Sequence, residues 1–450
     1  MYLLLYGGML GGALATFLVV QAIGERGSIT PVAVPPLPLR GGGGPDIILH
    51  VLLALAAVIL VAHAVGALFR RFGQPPVIGE VIAGLLLGPS FLGHFAPGAA
   101  AFLLPKAIVP AMTLIAQIGV ILYMFIVGLH LDTRQLKGQT HVSLAVSHAS
   151  IVVPFSLGAI LALALYPDLA PPGVGFTVFA LFIAVSMSVT AFPVLARILT
   201  DSGLARSRLG TIALACASVD DVTAWCLLAF VVGVVESYGA SIVATLALTG
   251  TYIGAMYFVV RPAARWLAGW RERRAELPPQ LLPICFAALL VSAAVTEAIG
   301  IHALFGAFIL GAIVPHDSTL ARDLTERLEA LVVVMLLPAF FVLTGMRTEI
   351  GLLGGASDWL ICLAIIAVAS LGKFGGSAAA ARLTGLGWRD AAALGVLMNT
   401  RGLMELIVLN VGFDLGVISP RLFAMLVIMA VVTTVATAPI LKALKIDRTA

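Results

Sequence analysis

The sequence predicts an all-α polytopic membrane protein built from two inverted copies of a helical unit, with 13 core helices and one extra N-terminal helix. Three observations lead there. The 450 residues are 61% hydrophobic and only 11% charged, with a mean hydropathy of +1.10, a balance that excludes soluble domains. Apolar runs of the length needed to cross a bilayer, about 20 residues, recur along the whole chain. Lysine and arginine fall almost entirely in alternate connections between those runs. The 46 Gly and 24 Pro are spread among apolar residues rather than gathered in polar tracts, which excludes a disordered or collagen-like chain.

Fourteen spans follow in order. Span 1 (3–23) has no basic n-region and is read as a retained helix, although GGALATFLVVQA holds the small residues that a signal-peptide cleavage site uses. A polar linker containing Gly41 to Gly44 leads to span 2 (47–69). Span 3 (75–92) contains GEVIAGLLLGP and span 4 (109–131) contains YMFIVGLHLD. Span 5 (142–165) follows. Span 6 (175–197) contains VSMSVTAFPVLARIL, where Pro193 removes a backbone donor and disfavours helix at Phe192. Span 7 (209–235) contains LACASVDDVTAWCLL, and span 8 (240–260) ends before the basic cluster Arg271 to Arg274, expected to be a cytoplasmic loop. Spans 9 (280–298), 10 (301–315, with GAFILGAIVP), 11 (328–346, with FFVLTGMRTE) and 12 (358–384) precede span 13 (390–414). There VLMNTRGLMELIVLN places the poor helix formers Asn399, Thr400 and Gly402 around Arg401. Span 14 (419–444) closes the series.

Basic residues orient these spans. Counted together with the residues at adjoining span ends, the connections after odd-numbered spans hold 5 Lys and Arg, whereas those after even-numbered spans, with the C-terminal tail, hold 19. The second set is therefore cytoplasmic, with both termini inside. The chain also repeats: Gly79 and Gly84 in span 3 match Gly306 and Gly311 in span 10, and Gly128 in span 4 matches Gly345 in span 11. A spacing of seven spans is odd, so the copies are inverted. The expected organisation is an N-terminal helix and linker (1–46), a first repeat (47–235), a connecting helix with a basic loop (236–279), a second repeat (280–444) and a short tail (445–450).

A charge at the bilayer centre costs about 2.5–3.5 kcal/mol on insertion scales, so a chain retains one for function or for bracing helices. Six stand in the bilayer core, away from span ends: Glu80, Asp220, Asp221, Lys373, Arg401 and Glu405. Asp220 and Asp221 are adjacent, so on a helix they point about 100° apart and cannot share a partner. One is expected to pair with a neighbouring cation such as Lys373 while the other faces a cavity and takes a cation or a proton. Ser186, Ser188 and Thr190 offer hydroxyls beside the span 6 break. Interrupted helices at corresponding places in inverted copies point to a mid-membrane ion site.

Other features carry less chemistry. His63, His130, His148 and His302 lack metal-ligand spacing, and Cys216, Cys226, Cys285 and Cys362 form no CxxC pair, so they are expected to be packing residues. No phosphate-binding loop, nucleophile elbow or HExxH motif is present. Neither cofactor, nucleic acid nor enzymatic activity is expected.

Together these residues resemble the monovalent cation/proton antiporter-2 family across residues 47–444. The marks are PPVIGEVIAGLLLGPS (75–90), SVTAFPVLARILTD (188–201), VDD (219–221), LGK ending at Lys373 and NTRGLMELIVLN (399–410). The resemblance implies an inverted-repeat antiporter fold with two crossing broken helices, a homodimer built on a dimerisation domain, and a mobile core that gives alternating access. It implies Asp221 as the carboxylate that binds the monovalent metal cation or a proton, Asp220 as the partner of Lys373, Thr190 as the residue near the cation, and Arg401 and Glu405 as charges steadying the second broken helix. Ser188 joins the expected binding set, and Pro193, Asn399 and Thr400 the broken-helix supports. Many members end in a cytosolic nucleotide-binding domain; regulation by one is not expected in a sequence that stops at Ala450. The expected function is exchange of Na+ or K+ for protons across the plasma membrane, of the bacterial inner-membrane type, with net charge moved because position 220 is an aspartate and Lys373 is a second proton carrier. A cation channel and a non-transporting sensor on the same scaffold stay open from sequence.

Overall fold

The computed structural model describes residues 46–130, 141–204, 207–236, 242–274 and 278–444. Span 1, its linker and the tail 445–450, with the placement of both termini, lie outside the described residues. Every regular element among the described residues is helical. Among the described residues, ten helices are long and apolar enough to cross a bilayer, and a bent pair supplies an eleventh. The protein is therefore a multi-pass membrane protein. Large apolar side chains such as Leu60, Leu163, Phe258 and Leu360 stand exposed on the outer helices, an arrangement that lipid rather than water makes favourable.

The first group of helices is α1 (Ile47–Arg71), α2 (Pro76–Leu87) and α3 (Val109–Leu129). Next come α4 (His141–Leu169), α5 (Phe176–Ser188), α6 (Phe192–Asp201) and α7 (Arg208–Glu236). A connecting helix follows: α8 (Ile242–Ala255) runs through a π turn into α9 (Arg261–Glu272). The second half opens with α10 (Leu281–Ile299), α11 (Ala303–Ile313), and α12 (Thr319–Leu331) continuing through a π turn into α13 (Leu337–Arg347). Then α14 (Ala356–Ser370) passes through the π turn Leu371–Gly375 into α15 (Gly376–Leu383). Finally come α16 (Trp388–Met398), α17 (Leu403–Asp414) and α18 (Pro420–Ala443).

Glycines decide which helices meet. A Cβ on Gly84 of α2 would lie 2.2 Å from the Val342 carbonyl oxygen, and one on Gly345 of α13 2.2 Å from that of Val81. On the other side, a Cβ on Gly128 of α3 would lie 2.3 Å from the Phe308 carbonyl and one on Gly311 of α11 2.3 Å from that of Phe125. Side-chain-free backbones approach closely enough here for dispersion to replace the hydrophobic drive that lipid lacks. So α2 crosses α13 and α3 crosses α11: each helix of one copy packs against the counterpart of its neighbour in the other. The remaining pair of matched glycines behaves alike, Gly79 abutting Gly66 of α1 and Gly306 abutting Ser292 of α10. The copies interleave, and residues from Ile47 onward form one compact unit.

Two packing groups result. Helices α1, α2, α3, α10, α11 and α13 pack chiefly on one another, as do α4, α5, α7, α14, α15 and α16 to α18. Three expectations need correction. The helix after span 8 does not stop at 260 but runs on to Glu272, because Arg261 and Arg265 end the apolar run without ending the helix. Within the Arg271 to Arg274 cluster, Arg271 is a buried helical residue whose Nε donates to Asp323 at 2.6 Å, not a solvated loop charge. Cys226, expected to pack in the core, is exposed.

Candidate functional site at the helix crossing

Two helices stop in mid-course and pass each other. After Ser188 the chain leaves helix, with Val189 and Ala191 extended, and resumes at Phe192 with Pro193 in the first turn of α6. Proline is favoured there because the first turn's N–H groups have no intrahelical acceptor. Likewise α16 ends at Met398, residues 399–402 leave helix, and α17 begins at Leu403, the two halves bent by 40°. The non-helical segments touch: Ala191 N–H donates to the Thr400 carbonyl at 3.0 Å, and Thr190 Oγ1 lies 3.4 Å from that of Met398. Gly402 permits the approach, since a Cβ there would lie 2.6 Å from Val194 Cγ2.

Each interrupted helix leaves backbone dipoles without a partner in a medium with no water to satisfy them. Arg401 answers the α5 end: its Nη1 donates to the Ser186 carbonyl at 2.7 Å and its Nη2 to that of Met187 at 2.9 Å. Its charge thus sits on the negative pole of α5. Arg401 is wholly buried and paired with Glu405, Nη1 to Oε2 at 2.5 Å. Glu405 in turn lies in the first turn of α17, the end that favours an anion. Thr434 of α18 holds the Arg401 backbone through both N–H and carbonyl.

The two aspartates of α7 have different surroundings. Asp220 is fully buried and well supplied with donors: Ser147 donates to Oδ1 at 2.8 Å, Thr190 to Oδ2 at 2.8 Å, and Ser150 also to Oδ2. Lys373, on the π turn, hydrogen-bonds Thr190 Oγ1 and lies 3.5 Å from Asp220 Oδ2. Thr190 thus links lysine to carboxylate. Asp221 lies beside the Phe192 backbone at the start of α6, and its Oδ1 is buried with no hydrogen-bond partner.

The structure therefore gathers Asp220, Asp221, Thr190, Lys373, Pro193, Thr400, Arg401 and Glu405 around one crossing. Ser188 is not brought in: its hydroxyl donates to the Ala184 carbonyl of its own helix at 2.7 Å. Thr400 contributes through its carbonyl, while its own hydroxyl and Asn399 Oδ1 are buried without partners. Glu80 is only partly buried. His63 and His148 bond carbonyls one turn back in their own helices, and no group of three potential metal ligands occurs among the described residues. Sequence reasoning missed Ser147 and Ser150, whose spacing of three was the available signal. It also missed a cavity of about 170 Å³ between the two packing groups, lined by Gln117, Glu297, His302, Arg347, Asn410 and Asp414 among others. Arg347 spans it, donating to Asn410 and Asp414 at 2.9 Å each.

Crossed half-helices between interleaved, inverted copies, with buried charges at the crossing, define the fold of the sodium/proton antiporters. The solved structure of the sodium proton antiporter MjNhaP1 from Methanocaldococcus jannaschii matches with a TM-score of 0.62, covering 88% of this chain and 97% of that one at 15% identity. The chain belongs to the sodium/hydrogen exchanger family: the model for its transmembrane part matches residues 56–443. It is 44% identical over 396 residues to the Na(+)/H(+) antiporter NhaS4 of Synechocystis sp., covering 86% of this chain and 96% of that protein. It is 36% identical over 392 residues to K(+)/H(+) antiporter 1 of Saccharomyces cerevisiae, covering 85% of this chain. Cation/H(+) antiporter 18 of Arabidopsis thaliana is 36% identical over 397 residues, covering 87% of this chain. Of these last two proteins the match spans only 45% and 48%.

Proposed function

We propose that the protein is a secondary antiporter that exchanges Na+ or K+ for protons, with Asp221 as the shared carboxylate. The carrying observation is the contrast within the aspartate pair. Both oxygens of Asp220 accept hydroxyl hydrogen bonds, whereas Asp221 keeps a buried oxygen with no partner beside the start of a half-helix. A buried oxygen of this kind holds either a proton or a cation, and occupancy by one excludes the other. The cation binds the ionised carboxylate; a proton taken up on the carboxylate oxygen releases it. The relatives named as Na(+)/H(+) and K(+)/H(+) antiporters support this reading over a channel or a sensor.

Exchange is electrogenic in this reading. When the cation arrives, one proton leaves Asp221 and a second leaves Lys373, so two protons move against one monovalent cation. The distribution of basic residues supports a topology with both termini on the cytoplasmic side of the plasma membrane. The repeats are residues 47–235 and 280–444, joined by 236–279, and the working unit is a homodimer in lipid. Pulses of Na+, K+ and Li+ applied in turn to proteoliposomes test the proposal. A pH change driven by at least one of them, lost in Asp221→Asn protein that remains folded, is expected. Current without obligatory proton movement identifies a channel, neither signal identifies a sensor, and wild-type exchange in Asp221→Asn removes that residue from the mechanism.

A further inference from the structure

Asp220 takes most of its support from neutral donors. Two of its three hydroxyl partners, Ser147 and Ser150, belong to α4, and both serines are fully or almost fully buried. Three residues apart, they occupy one face of that helix, and Ser150 Oγ also lies 2.9 Å from the Ser147 carbonyl. Lys373 lies 3.5 Å from Oδ2, with its own hydrogen bond made to Thr190. A close charge-assisted contact would be about 2.7–2.9 Å, so the lysine is not the anchor of this carboxylate. The same helix also braces the lysine's turn: a Cβ on Gly372 would lie 2.9 Å from Pro154 Cα, and one on Gly376 2.9 Å from Val153 Cβ. Helix α4 therefore fixes the aspartate by hydrogen bonds and the lysine-bearing turn by packing, and leaves the lysine head group held only through Thr190 and the longer ion pair.

We infer that Ser147 and Ser150 are positioning residues of the exchange cycle: they hold the Asp220 carboxylate to α4 so that Lys373 can part from it and return. This rests on the antiport reading above. A buried carboxylate stripped of a partner is destabilised; with the serines in place Asp220 keeps three donors while the lysine is away. Without them its remaining partners are Thr190 and Lys373, the carboxylate follows the lysine, and the pair becomes a static brace that slows turnover without altering Asp221.

The test is steady-state exchange in proteoliposomes, normalised to folded protein, for wild type, S147A/S150A and S147T/S150T. Wild type is measured first, because a wild type without cation-driven proton flux contradicts the antiport reading itself. The alanine pair is expected to lower kcat about tenfold, the order set by losing a hydrogen bond to a charged group, with KM for the cation within about twofold of wild type. Threonine restores the hydroxyls and is expected to return most of the rate. If the alanine pair does not fold, the single variants S147A and S150A carry the same expectation at smaller size. Folded alanine protein with wild-type kcat overturns the inference, as does a change confined to KM, or threonine protein as slow as the alanine protein.

Discussion

Arg401 ties together more of the crossing than any other side chain. It caps two carbonyls of α5, neutralises Glu405 and is anchored by Thr434. Removing one partner of such a pair leaves the other charge buried alone, at about 3–5 kcal/mol. Arg401→Leu is therefore expected to destabilise the protein by about that amount, seen as a lower unfolding temperature in detergent, and Arg401→Leu with Glu405→Leu to recover part of it. Equal losses in the single and double variants would contradict the pairing. Much of this was legible at residue scale, because charges inside apolar runs are conspicuous whatever the fold. That Arg401 serves the end of a different helix was not legible, since it depends on two segments separated by about two hundred residues crossing. Ser147 and Ser150 escaped for a different reason: a serine in a membrane helix can bond its own backbone, so a spacing of three does not by itself announce a partner on another helix.

At the scale of elements, the glycine crossings set helix positions and the breaks set the site. Gly84→Val places carbon where the Val342 carbonyl oxygen already stands, 2.2 Å from the Cβ position, so α2 and α13 must separate. That variant is expected to lose most folded protein in size-exclusion and thermal assays, while Gly98→Ala, with nothing within 4 Å, behaves as wild type. Folded Gly84→Val protein with wild-type stability would refute the packing described. The repeated glycines were visible in sequence as a pattern; that Gly84, Gly128, Gly311 and Gly345 meet across the copies was not. Helix α9 was missed because hydropathy follows the apolar run, and Arg261 and Arg265 interrupt that run although both are good helix formers. The π turn at Lys373 likewise leaves no composition signal, yet it is the feature that carries the lysine to Thr190.

Across the whole molecule, two packing groups meet at the crossing and along the cavity bridged by Arg347. The proposed exchange cycle needs such a boundary, because in it access to Asp221 opens to one side of the membrane at a time. The central claim is that a cation displaces two protons in one cycle, one of them from Asp221. Its most direct measurement is the initial rate of cation-driven proton flux in well-sealed proteoliposomes across a series of imposed membrane potentials. For wild type the rate is predicted to change with potential in the direction that moves net positive charge down it. Asp220→Asn and Lys373→Ala are predicted to lose more of that sensitivity than of their cation affinity. Wild-type rates that stay constant across imposed potentials would contradict two-proton exchange and leave one proton for one cation at Asp221.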